Sequence, residues 1–115
     1  MNRQQKKAWL QQAWALGRTV EYCRLVRKGH TAGDIQGVDC LLAQEEMKKA
    51  AAMLDKRKAA INALKDGGQK KVLWLRYICH YSWRDIEKAL GYSRRSLFYI
   101  HNKGVEGIKV GQRWE

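Results

Sequence analysis

Apolar residues recur along this chain in helical rhythm. Trp9, Ala13, Leu16, Val20 and Cys23 alternate spacings of four and three, the stripe of a helix that packs on a neighbour along one seam. The pattern predicts a first helix from about Arg3 to Lys28, closed by Arg24, Arg27 and Lys28 and then Gly29, cations followed by glycine as the helix dipole and cap favour. Gly17 interrupts it at a cost of up to ~1 kcal/mol relative to alanine, and is expected to mark a close helix approach. Residues 29–39 carry three glycines and no helical period, so they read as a loop, with Asp39 the N-cap of a second helix from about Cys40 to Lys65. Ala43, Met47, Ala50, Leu54, Ile61 and Leu64 continue the same seam, which Arg57 breaks at one position. Glu45 and Glu46 fall early, Lys56, Lys58 and Lys65 late, and Gly67-Gly68 ends the helix. Two such helices joined by a loop make an antiparallel hairpin that needs a mate, either the rest of the chain or a second copy.

Residues 69–109 follow a different plan. A third helix, Gln69 to His80, places Val72, Leu75 and Cys79 on one side, with Leu73, Trp74 and Ile78 widening the stripe. Ser82-Trp83-Arg84-Asp85 has capping-box spacing and opens a helix of about eight residues whose inward side is Trp83, Ile86 and Leu90. Gly91 can take the left-handed conformation that stops this helix, Tyr92 follows, and Ser93 caps the next. Two short helices joined by a three-residue glycine turn form a helix-turn-helix, whose second helix enters the major groove while the first braces it. In the fifth helix Leu97, Ile100, Gly104 and Ile108 define an inner face, leaving Arg95, Tyr99, Asn102 and Glu106 outward, flanked by Ser96, Phe98 and Lys103. Arg94 and Arg95 sit at its start, the end that meets base edges. An arginine fork pairs with guanine and an asparagine amide with adenine. No acidic residue occurs between Glu87 and Glu106.

Composition sharpens this picture. The formal charge of +12 and a pI near 9.9 favour a polyanionic partner, nucleic acid ahead of an anionic membrane surface. No apolar run approaches the ~18 residues of a membrane span, and no signal-type stretch follows the first charges, so a cytoplasmic protein is expected. The chain has no proline and is rich in Ala, Leu, Lys, Arg and Gln, which predicts an all-α fold. Cys23, Cys40 and Cys79 have no C-x-x-C spacing and read as reduced, small apolar residues; the Cys79-His80 pair diverges by about 100° on a helix and makes no metal site. No metal or other cofactor is expected. His101 falls near the inward edge of its helix, a packed, hydrogen-bonded histidine, and His30 is a loop residue. Of five tryptophans, Trp9, Trp74 and Trp83 lie on apolar stripes and read as core, while Trp14 and Trp114 have no assigned place. There is no Ser/His/Asp set, paired carboxylate or phosphate loop, and an enzyme is not expected.

From Val72 to Lys109, "VLWLRYICHYSWRDIEKALGYSRRSLFYIHNKGVEGIK" resembles the sigma-70 region 4 type of helix-turn-helix, and more closely the related domain of small phage and prophage transcription regulators of the ArpU/late-activator type. The match follows LRY, S-W-x-D-I, A-L-G-Y-S and then a basic helix, over about the last third of the chain. It implies a three-helix DNA-binding domain, residues 67–115, while residues 1–66, read from their seams as a helical hairpin for packing or oligomerisation, match no sigma region, so a complete sigma factor is not expected. It also implies that Arg94, Arg95, Phe98 and Tyr99 read bases, joined by Asn102 from the helical wheel, while Arg84, Lys88 and Lys103, with Ser93 and Ser96, hold phosphates. Phe98 and Tyr99 stand where polar or basic readers are usual, which turns attention to thymine methyl groups. The expected function is sequence-specific binding of double-stranded DNA by a phage-type regulator, a homo-oligomer, with a dimer favoured, joined through the amino-terminal helices. Two other readings are a DNA-packaging adaptor of the small-terminase kind, assembled as a ring, and a co-regulator that docks on RNA polymerase.

Overall fold

The computed structural model describes residues 2–29 and 37–110, with side chains over 2–25 and 44–110. His30, Trp114 and the side chains of Arg27, Lys28, Asp39, Cys40 and Ala43 lie outside the described residues. The elements are α1 (Arg3–Gly29), α2 (Gly37–Asn62), α3 (Gly67–Leu73) running on into a π-helical turn (Trp74–Ile78), α4 (Trp83–Leu90) and α5 (Arg94–Gly107). The fold is all-α: no strand occurs among the described residues, and no helix among them is long and apolar enough to cross a membrane.

Both boundaries of α2, and those of α3, which was expected over Gln69 to His80, differ from expectation. α2 begins at Gly37, so Asp39 lies in its first turn instead of capping it, a place an acid suits equally well. It ends at Asn62, leaving Lys65 beyond the helix and Asp66 to cap α3 by accepting a bond from the Gln69 N–H at 3.0 Å, so the Gly67-Gly68 pair opens α3 instead of merely closing α2.

The main core crosses every long element. Trp9 and Leu10 of α1, Ile61 of α2 and Leu64 just beyond it, Leu73 and Tyr77, and Val105 and Ile108 form one buried cluster. A second cluster, Val72, Ile86 and Leu97, ties α3 to α4 and α5. α3 is therefore buried on two sides. Its expected stripe holds at Val72 and Leu75 but fails at Cys79, which is exposed because the helix has already ended; Cys23 is buried, and both are free thiols.

Arg57 overturns its reading as a flaw in the seam. It is fully buried, its Nε donating to the Trp9 carbonyl at 3.1 Å, Nη1 to the Met53 carbonyl at 2.8 Å and Nη2 to Gln12 Oε1. Its guanidinium carbon lies 4.5 Å from the centroid of the Trp9 ring. These bonds set the end of α2 against the start of α1. The start of α1 also grips the end of α5, where Lys6 Nζ donates to the Glu106 carbonyl at 2.7 Å and Arg3 lies 3.4 Å from the Glu106 carboxylate. Cations there complement the carbonyl end of the α5 dipole.

The close approach expected at Gly17 occurs elsewhere. A Cβ at Gly17 would meet nothing within 4 Å, whereas one at Gly104 would lie 3.2 Å from Leu73 Cδ1 and 3.3 Å from Gln69 Cβ. Gly104 is thus where α5 presses on α3. Gly17→Ala is expected to raise the unfolding free energy by ~0.5–1 kcal/mol through helix propensity. Gly104→Ala is expected to lower it by ~1–3 kcal/mol, because Leu73 is fully buried and cannot yield freely. Urea titrations of both variants would show the opposite signs.

Candidate nucleic-acid interface

Local capping chemistry shapes the region 82–107. Ser82 Oγ accepts from the Asp85 N–H at 3.1 Å to start α4; of the capping box, only this serine half forms. Gly91, with φ of 75°, ends α4 in the left-handed conformation, its N–H donating to the Glu87 carbonyl at 2.8 Å. A side chain with a Cβ would be strained there. Ser93 then caps α5, accepting from the Ser96 N–H at 3.2 Å and donating to Ser96 Oγ at 3.1 Å.

Aromatic contacts orient the two helices. The Trp83 ring stands edge-on to both Phe98 and His101, each centroid 5.0 Å away. Arg76 lies over Trp83 at 4.7 Å and over Trp14 at 5.1 Å, and donates to the Tyr81 carbonyl at 3.0 Å. Trp14, which had no place in the sequence reading, thereby links α1 to α4 through one guanidinium. Beneath α5, His101 Nε2 is 2.7 Å from the Tyr77 hydroxyl and Nδ1 is 3.1 Å from Asn102 Oδ1. A neutral ring satisfies both partners when Tyr77 donates to Nε2 and Nδ1–H donates to Asn102.

Burial is the main cause that pulls the His101 pKa below its usual 6.5, with Lys7, Arg76 and Arg3 adding in the same sense and the Asn102 bond opposing them. Burial likewise pushes the Tyr77 phenol up to about 12, against the pull of Arg76. Since the unfolded chain binds the His101 proton more readily, this residue's contribution to stability is complete above about pH 6.5 and is lost as the pH falls below that value. Melting temperatures are expected to fall between pH 7.5 and 5.5, and His101→Gln is expected to flatten that slope.

The outward face holds the anticipated residues in unequal states. Arg84, Lys88, Arg94, Arg95, Ser96, Phe98, Tyr99 and Lys103 are exposed, and Asn102 is half-buried. Arg94 is engaged: its Nε and Nη2 donate to the two Glu87 oxygens at 2.5 and 3.2 Å, a two-pronged bridge across the turn. That hydrogen bond lowers the Glu87 pKa and raises that of Arg94. Arg95 makes no hydrogen bond or ion pair with the described residues and is the open fork at the start of α5. Ser93 and Ser96 satisfy each other, and Asn102 is held by His101. Phe98 leans on Trp83, while Tyr99, 65 % exposed, is the most open aromatic of α5, with Lys103 Nζ 5.9 Å from its ring centroid.

Tyr92, Arg95, Ser96, Tyr99 and Ile100 line an open hollow on this face. Tyr92 and Ile100 were not among the anticipated residues. Extending the helical spacing back across the cap, from Ser96 to Tyr92, was the available signal for one of them; the Glu87–Arg94 bridge had none, since its partners are on different helices. No family model matches the chain, and no curated protein or solved structure matches it either.

Proposed function

We propose that this chain is a sequence-specific regulator of transcription that binds double-stranded DNA, of the phage late-activator type. In this reading α4, residues 91–93 and α5 act as a helix-turn-helix of the sigma-70 region 4 kind, and α1 with α2 is the hairpin that joins two copies. The observation that supports it best is the outward face of α5: a capped start, the open Arg95, Tyr99 and Lys103 at one-turn intervals, and no acid between Glu87 and Glu106. Arg84 and Lys88 on α4 flank that face and would hold phosphates on either side of the groove, giving salt-sensitive affinity. Arg95 would carry the discrimination. Arg94 would brace the turn through Glu87, and Ser93 would act as a cap more than as a phosphate ligand. Tyr22 and Leu25, 67 % and 56 % exposed on α1, offer apolar surface to a second copy.

The mechanism is binding without chemistry. Selection of bound fragments from random duplexes at near-physiological salt is expected to return a short half-site repeated with two-fold symmetry. Enrichment without any shared motif would end the reading.

A further inference from the structure

The hollow beside Arg95 suits one particular feature of duplex DNA. It is lined by Tyr92, Tyr99 and the half-buried Ile100, by Ser96, whose hydroxyl is turned to Ser93, and by the exposed Arg95. Phe98 is drawn to the other side by Trp83, so Tyr99 alone of the two adjacent aromatics faces this space. Arg95 brings a positive charge to the hollow and the stretch from Lys88 to Val105 has no acid, which fits a polyanion carrying a small apolar projection. In the major groove the projection of that kind is the C5-methyl group of thymine.

We infer that the Tyr92–Tyr99–Ile100 hollow is a thymine-methyl subsite that specifies an A·T pair next to the base pair read by Arg95. The inference rests on the DNA-binding reading above. Arg95 and Tyr99 are four residues apart, about 6 Å along the helix, and base pairs stack about 3.4 Å apart. A methyl seated between them therefore lies one or two pairs from the guanine that Arg95 engages. Arg95 and the hollow together read a two-letter unit, a guanine with a thymine on one side.

The test uses the full chain and the best duplex from random selection. Each thymine within two pairs of the selected guanine is replaced in turn by deoxyuridine, which lacks only the methyl. One replacement is expected to weaken binding about fourfold, the effect of one methyl-sized group leaving an apolar contact. Tyr99→Ala, at a well-exposed position, is expected to bring the thymine-to-deoxyuridine ratio close to one. A motif with no A·T pair beside the guanine, a motif whose thymines all tolerate deoxyuridine, or a Tyr99→Ala variant that keeps the fourfold ratio would each overturn the subsite while leaving DNA recognition intact. Binding with no sequence preference would overturn both.

Discussion

Arg57→Ala is expected to lower the unfolding free energy by ~2–5 kcal/mol. The size follows from what the side chain does. Fully buried, it fills the space between α1 and α2, and its fork donates to the Trp9 and Met53 carbonyls and to Gln12 Oε1. Truncation removes the packed stem and leaves those acceptors without their charged donor; hydrogen bonds to charged groups contribute about 1.5–3 kcal/mol each, before any cavity cost. Two further substitutions separate the causes. Arg57→Met restores much of the volume and is expected to recover about half the loss. Arg57→Lys keeps the charge but cannot place planar donors toward three acceptors, and is expected to resemble alanine more than arginine. Urea titrations read all three, and a methionine variant no better than alanine would show that hydrogen bonding, not packing, dominates.

On DNA, the largest single effect is expected from Arg95→Ala, a loss of ~1–3 kcal/mol on the selected site with little change on random duplex. Arg95 and Arg94 are neighbours in sequence, yet the structure leaves them in different states. Arg94 already grips Glu87 with both prongs, so its charge is largely answered within the protein. Arg94→Ala is expected to weaken selected and random duplexes alike, since it leaves Glu87 as an uncompensated negative charge beside the outward face of α5. Competition titrations by fluorescence anisotropy distinguish the two patterns. A uniform loss for Arg95→Ala would reduce that residue to a backbone contact.

How much of this was legible beforehand depended on the range of the interactions. α4, the turn and the start of α5 were readable because Ser82, Gly91 and Ser93 act within four positions of themselves, whereas the end of α5 at Gly107 carries no such signal and Ile108, placed on its inner face, lies just beyond it. α1 was nearly as clear, its seam and closing glycine being local signals. Leu10 and Val105, both fully buried, were missed because they lie off the seams that a single helical wheel brings out and face elements distant in sequence. Arg57 looked like an interruption for the same reason: its partners on α1 are more than forty residues away. At the candidate interface the outward placing of Arg95, Tyr99 and Lys103 was readable, but the availability of the residues was not. Only packing reveals that Arg94 is held, that Asn102 serves His101, and that Phe98 belongs to Trp83.

The widened turn at Trp74–Ile78 has an effect on tolerance to length change. There the Cys79 N–H reaches five residues back to the Trp74 carbonyl, the Tyr81 N–H reaches to Leu75, and the Arg76 carbonyl receives the Trp14 indole N–H at 3.0 Å. One residue more than an ordinary helix needs is stored at this point. Loss of a single residue here would therefore be taken up by regular winding, in which one residue fewer closes the turn, and α4 and α5 are expected to keep their bearing against α1. The segment works as slack in the chain: a deletion of one residue inside it is expected to cost far less than the same deletion in the regular part of α3 or in α5, where every later side chain would turn by roughly 100°.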